Sequence, residues 1–598
     1  MEKNIKNHSR IHIVIFTLIS AFLFIFIPIS FIDRFLAGII CFGVLTHIKN
    51  IKFEFKRWYE IFLLFIICLY LTFAIFGHDL ILNNSLRLES FLRFFYFSLG
   101  FIWTCYVLQS FLDAIKYLSR IKDRVCTPFL GGYWKKWLIL LAIMIPLFAL
   151  WQIAFNPIVL SPDSWVFLDG WINNRYISSF PPVFTFLVNI ICTMAPATPE
   201  VMWIGITQNI VFSSLLATIL MYFHQRWIMY KYIIPIAIVL PLIPSLGLHT
   251  IVVWADLAAG MTLLWLTYVL VRIIDEMILN KSASKKQQLS FYIQLCISLV
   301  LTYFIRSNTF IVYMVMIPVL VFLFSLKKEW KLLITITISI LFVLLIRFPG
   351  FSKLEVYESV SAHEHRYHAA MHDIQTTYYG GGHLSDQTLE ALRRYIPTLD
   401  DPEVKLNFYQ VTLNFGLGGV MRQHYGFDFS ELTMPEFLAM YVDTFIRNPY
   451  LMTSSMLNRV HAYWVIDPKP FVDAVNHFTI FDRETKSVTS SSAPELGVYR
   501  QYNILNGIMK RYMEIMSLHI PTMFFWRFAV YVALMVISIY ALIQERRFIW
   551  LLTYIPVFIY LATLYLAMGW TDYRYGLPVF FVGLFLPVAL LLHKPSTK

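Results

Sequence analysis

The chain has 598 residues, of which 58% are hydrophobic and 14% charged, with a mean hydropathy of +0.64 and a formal net charge of +12. Soluble domains are about 45–50% apolar and about 25% charged, so a soluble globular composition is excluded. The Lys and Arg residues cluster in short connections between apolar stretches, the distribution of cytoplasmic membrane loops, so no nucleic-acid partner is expected.

Taken in chain order, apolar windows near the roughly 20 residues that cross a hydrocarbon core as a helix predict a first set of spans over 11–31, 35–48, 61–77 and 91–111. A second set covers 137–156, 201–223, 233–251 and 253–273. The third covers 291–305, 310–326, 332–346, 523–543, 548–568 and 577–592, about fourteen in all. With Lys3, Lys6 and Arg10 inside, the basic loops from Lys49 to Arg57, Lys116 to Lys136, Arg226 to Lys231 and Lys281 to Lys286 also fall inside. So do Lys327, Lys328, Arg546, Arg547, Lys594 and Lys598. Both termini are therefore expected in the cytoplasm.

This alternation holds only if 182–195 (PVFTFLVNIICTMA) does not cross. It is short and bounded by Pro181-Pro182 and Pro196, and it is predicted to lie on the outer surface as an interfacial helix. The expected fold is an all-α polytopic membrane protein with one mainly helical extracytoplasmic domain. Its regions are 1–136, four N-terminal helices; 137–347, a catalytic membrane core; 348–521, the extracytoplasmic domain; and 522–598, the last three spans. In the third, Ser385 is a predicted N-cap and Pro449 a predicted break between two amphipathic helices. The six cysteines lie in or beside apolar segments and short loops, with none in 348–521, so no disulfide framework is expected.

Polar residues at the outer ends of spans are candidates for function, because holding them near lipid is costly. They are Asp163 and Asp169 in the loop SPDSWVFLDGW, His249 and Asp256 around a hairpin, Arg306 and Asn308 at another, and Asp572, Arg574 and Tyr575 between the last two spans. A carboxylate can deprotonate an acceptor, and two fixed cations can hold a phosphate leaving group.

The order of these segments resembles the GT-C superfamily of polyprenyl-phosphate-sugar-dependent glycosyltransferases. It runs from an acidic outer loop through a Pro-Pro-bounded helix and an acidic hairpin to Arg-x-Asn and a late Tyr-Arg-Tyr-Gly. Protein O-mannosyltransferases and lipid A aminoarabinose transferases belong to that superfamily, and the nearest likeness is to an uncharacterised bacterial branch. The likeness runs from about Trp137 to the C-terminus and rests on sequential order. It implies a cell-membrane transferase with its site on the extracytoplasmic face, a polyprenyl-phosphate-linked sugar as donor, and a glycan, lipid or protein acceptor. It implies Asp163 as general base, with Asp169 and Asp256 as further catalytic carboxylates, and Arg306, Asn308, Arg574 and Tyr575 around the donor phosphate. The first loop has no Asp-x-Asp pair, and four spans precede it where many members have one.

Two further features stand apart. His363, Glu364, His368 and His372 include pairs four residues apart, which on one helix face could bind a divalent cation, although a solvated His-rich helix has the same pattern. His461, Tyr463, Trp464 and Phe471 suit either a sugar-stacking platform or an anchor at the bilayer interface, and anchoring is the expectation. The competing functions are a flippase of lipid-linked intermediates and a polysaccharide polymerase or ligase; only the transferase requires the first-loop carboxylate.

Overall fold

In a computed structural model of the protein, the described residues are 58–76, 132–356, 367–402, 431–460, 464, 504–518, 521, 524–567 and 573–591, apart from positions 157, 161, 178–180, 198, 227–229 and 517. These residues are helical and form no strand; one isolated bridge joins Val159 to Val252. The stretches 11–31, 35–48 and 91–111 lie outside them.

The helices are α1 Trp58–Phe76, α2 Tyr133–Ala154, α3 Pro162–Ile172, α4 Pro182–Thr193, α5 Met202–Arg226, α6 Tyr230–Leu242, α7 Pro244–His249 and α8 Ala255–Arg272. Then come α9 Lys285–Phe304, α10 Ser307–Leu326, α11 Trp330–Leu345, α12 His368–Tyr379, α13 Asp386–Tyr395, α14 Met434–Arg447 and α15 Pro449–Arg459. The last four are α16 Ile504–Met516, α17 Ala529–Gln544, α18 Ile555–Ala567 and α19 Leu577–Leu591.

Among the described residues, six helical stretches are long and apolar enough to cross a membrane: Tyr133–Ala154, Met202–Gln225, Ala255–Leu279, Ser307–Leu326, Trp330–Lys353 and Phe548–Leu566. Large apolar side chains stand exposed along α10 and α11, among them Phe322, Leu341 and Leu345. Water would not tolerate so continuous an apolar belt and lipid does, which supports a multi-pass membrane protein.

α8 is the central post. It packs against α5, α9, α18 and α19, and it continues as a π-helix through Ile273–Leu279 rather than ending at 273. The predicted span 253–273 stops there because Asp275 and Glu276 follow. Neighbours in the same stretch of chain satisfy both: Arg272 pairs with Glu276, and Asn280 Nδ2 donates to Asp275 Oδ1 at 2.7 Å.

The predicted span 233–251 differs from the structure. Pro241 and Pro244 break it into α6 and α7, because proline removes a donor and clashes with the preceding turn. The carbonyls released there find side chains: Trp151 Nε1 donates to Pro241 O at 2.9 Å and Tyr512 Oη to Leu242 O at 2.6 Å. Asn506 Nδ2 donates to Ala154 O at 2.9 Å, so α16 closes the ends of both α2 and α6. Non-helical backbone at this depth is tolerated only where protein satisfies it.

α4 has 12 residues, about 18 Å at 1.5 Å per residue, too short to cross a core of about 30 Å. It lies against α3, where Gly170 admits it: a Cβ there would collide with Thr185. The expected loop around Asp163 is itself mostly helix. Pro162 takes the first position of α3, where its missing N–H costs nothing, and Phe167 and Leu168 bury against Phe184 and Val188 of α4.

α12 to α15 enclose a core of their own around Met371, Ile374, Leu392 and Met440. Ser385 caps α13, accepting from Thr388 N at 3.2 Å, and Pro449 opens α15 after the break at Asn448. The turn after α12 reverses at Gly381, whose φ of +83° falls in the left-handed region. Asn448 clamps it, with Oδ1 accepting from His383 N and Nδ2 donating to His383 O, both at 2.8 Å. The bundle and this small core meet at a buried ion pair: Arg459 of α15 bonds Asp373 of α12 at 2.7 Å and also donates to Tyr565 O of α18 at 3.2 Å.

Trp464 is buried in the main core and donates to Leu457 O at 2.7 Å, so packing inside the protein replaces the expected interfacial anchoring. His461, Tyr463 and Phe471 lie outside the described residues.

Candidate functional site

The site begins in the backbone that enters α8. Residues 250–254 are irregular, yet their carbonyls are occupied: Gln208 Nε2 donates to Thr250 O at 3.0 Å and to Val252 O at 3.1 Å, and Val159 N donates to Ile251 O at 3.0 Å. From α3, Ser164 Oγ donates to Val253 O at 3.0 Å. The segment is thus held rigidly, with Trp254 as the N-cap of α8 and Asp256 in its first turn. A carboxylate is favoured there by the free N–H groups and the helix dipole.

Asp256 forms an ion pair with Arg306, the N-cap of α10, and both are largely buried. Arg306 is held in extended backbone, and its carbonyl accepts from Thr309 Oγ1 at 2.8 Å, which starts the helix cleanly. The guanidinium of Arg306 lies 4.5 Å from the centre of the Tyr575 ring. Arg574 lies 4.8 Å from the same ring and 5.0 Å from that of Trp254, and its Nη2 donates to the Tyr575 hydroxyl at 2.9 Å. A short 3₁₀ turn, Tyr573–Gly576, presents both residues, and Tyr560 Oη fixes it by donating to Tyr575 O at 2.8 Å.

Asp256, Arg306, Arg574 and Tyr575, singled out separately in the sequence, therefore converge on one cluster. Trp254 and Tyr560 were missed. Trp254 had a signal, an aromatic next to a carboxylate where an apolar span ends; Tyr560 had none, being one more aromatic inside a span. The arrangement can hold an anion: Arg306 Nε is buried with no hydrogen-bond partner among the described residues, and cation–π contact orients both guanidiniums without consuming their N–H donors.

The remaining candidates are placed as follows. Asp163 is the second residue of α3, beside Ser164 and its bond to the segment that leads into Asp256. Asp169 is turned to the other end of α3, where Asn173 Nδ2 donates to its carboxylate and Asn173 N to its carbonyl. Asn308 is half-buried in the first turn of α10. His249 is buried, donating from Nδ1 to Ser245 O at 2.6 Å, with its ring 5.5 Å from that of Trp254.

Asp572, His363 and Glu364 lie outside the described residues. His368 opens α12, and four residues on the His372 ring stands 3.7 Å from Asp373. Among the described residues no three His, Cys, Asp or Glu side chains gather as metal ligands. Burial pushes His372 below the usual histidine range, with Asp373 opposing. Burial also raises the Asp373 carboxyl, but Arg459 and His372 beside it together more than offset that and leave it below its ordinary value.

No family model matches the chain, and neither the curated proteins nor the solved structures give a match.

Proposed function

We propose that the protein is a membrane glycosyltransferase that moves a sugar from a polyprenyl-phosphate donor to a cell-envelope acceptor at the outer face of the cytoplasmic membrane. In this reading the chain has about fourteen spans, both termini are cytoplasmic and 348–521 lies outside. The observation that carries it is the gathering of Arg306 and Arg574 on one tyrosine ring, with a buried Arg306 Nε–H left for a further acceptor. A phosphate leaving group is the ligand that two such forks suit, because guanidinium–phosphate bonds are charge-assisted and directional.

Asp256 acts here as the counter-ion that orients Arg306. Its carboxylate is engaged by that guanidinium rather than free to meet an acceptor hydroxyl. The general base is then Asp163, on the helix bonded to the entrance of α8. The acceptor hydroxyl gives its proton to Asp163 while its oxygen attacks the anomeric carbon from the side opposite the phosphate. The bond from that carbon to the phosphate oxygen breaks, its electron pair leaves with the phosphate, and the anomeric centre inverts. Asp169 serves by closing the end of α3.

The test is the purified protein in liposomes, supplied with polyprenyl-phosphate-linked sugars from a total lipid extract. Release of free polyprenyl phosphate is expected, and Asp163→Asn and Arg306→Gln should each stop it. Transbilayer movement of the intact donor, without release and unaffected by Asp163→Asn, would assign a flippase instead.

A further inference from the structure

At the far end of α10 from Arg306 the molecule carries a second, unrelated feature. α9 and α11, which precede and follow α10 in the chain, pack against each other, and along them runs a groove of about 480 Å³ whose walls include Tyr292, Cys296, Ile334, Ile338 and Phe342. Its walls are almost wholly apolar, and its one charged lining residue is Lys331, in the first turn of α11.

We propose that this groove holds one acyl chain of an anionic phospholipid whose headgroup phosphate is bound at Lys331, in the leaflet opposite the candidate site. The inference rests on membrane embedding alone and not on the transferase reading.

Three observations converge. First, the pattern is that of an amphiphile: a cation at one end and hydrocarbon along the rest. Second, the length fits. Lys331 and Phe342 stand eleven helical steps apart, about 17 Å at 1.5 Å per residue, close to one leaflet of a core about 30 Å thick. Third, the surrounding charge is complementary. Lys285 and Lys286 open α9, Lys327 and Lys328 precede α11, and Glu329 is the one acid in that loop. Juxtamembrane lysines attract anionic headgroups, and each is worth about fivefold in binding.

The partly exposed Ile334 and Ile338 would otherwise face loosely ordered lipid across a re-entrant surface. One ordered chain would fill that groove along the packed pair α9 and α11. These two helices lead into and follow the helix that carries Arg306, so occupancy braces α10 without touching the candidate site.

Native mass spectrometry of the full-length protein tests this, by titration with phosphatidylglycerol and, separately, phosphatidylcholine of the same chains. Wild type should retain phosphatidylglycerol at least about fivefold better. Lys331→Glu should abolish that preference, and the milder Lys331→Gln should reduce it. Ile338→Trp, which fills the groove, should lower retention of both lipids, and Arg306→Gln should change neither. Equal retention of the two lipids by wild type overturns the proposal. So does a preference lost in Arg306→Gln but kept in Lys331→Glu, or a dimer that Ile338→Trp splits while lipid retention is unchanged.

Discussion

Arg306 and Arg574 lie against the same ring, that of Tyr575, although one begins α10 and the other precedes α19. Two like charges come this close because each has its own compensation: Asp256 pairs with Arg306, and Arg574 stacks on Trp254 as well as Tyr575. Their substitutions should therefore differ in kind.

Arg306→Ala leaves Asp256 buried beside nothing, which typically costs about 3–5 kcal/mol. It should lower thermal stability as well as donor binding. Arg574→Ala should leave stability nearer wild type and weaken polyprenyl-phosphate binding about 10- to 100-fold, the loss of one or two charge-assisted bonds. Arg574→Lys should restore part of that loss, because an ammonium lacks the planar fork. Asp256→Asn combined with Arg306→Gln should recover the melting temperature and not the binding. Thermal melts and lipid titrations on the same preparations check this, and equal melting of the two Ala variants would remove the Asp256 contact from the account.

The three carboxylates should separate by rate. Asp163→Asn is expected to lose about 10²–10⁴ in turnover while keeping donor binding. Asp169→Asn should be nearly neutral, since an amide still accepts from Asn173. Asp256→Asn should weaken donor binding by releasing Arg306. Turnover and lipid binding measured side by side decide it; an inactive Asp169→Asn with normal Asp163→Asn activity would reverse the roles.

Acid should loosen α12 to α15 in two stages. His372 is held below its unfolded value, so its contribution is complete above about pH 6.5 and is lost as pH falls through its folded value. Asp373 and Asp443 are also held low. Burial raises Asp443, but bonds from Arg447, Ser385 and Thr388 bring it down to about 2. Its stabilisation is present above about pH 4 and is lost toward pH 2. Protection factors across α12 and α15 in the full-length protein, taken relative to the intrinsic amide exchange rate at each pH, should fall below about pH 6.5, and His372→Gln should flatten that first stage. Protection that rises on acidification would contradict the sign.

Orientation can be read by labelling. Gly381 is unsuitable for a probe cysteine because of its positive φ, and Ser284 because it caps α9 with a reciprocal Gln287 bond. Gln387→Cys and Lys285→Cys are exposed and unstrained. In intact cells, on a background without the native cysteines, an impermeant maleimide should reach the first and miss the second. The reverse result would put the cluster on the cytoplasmic side.

The helical class, the apolar stretches and their broad limits were legible along the chain, because hydrophobic length and proline position act locally. Ser385 as a cap and Pro449 as a break were legible for the same reason: the donor a cap satisfies and the donor a proline lacks belong to the immediate chain. The candidates Asp256, Arg306, Arg574 and Tyr575 were legible as polar residues where lipid makes polarity costly. That they meet, that Asp256 pairs with Arg306, and that Trp254 and Tyr560 complete the cluster emerges from helix packing alone. The fold also shows that 233–251 breaks at Pro241 and Pro244, with Trp151 and Tyr512 taking the carbonyls, and that α8 continues through Asp275 and Glu276. For the cluster and for the break at Pro241, the partner that balances a buried charge or an open carbonyl lies on a distant helix, and no local pattern records which one.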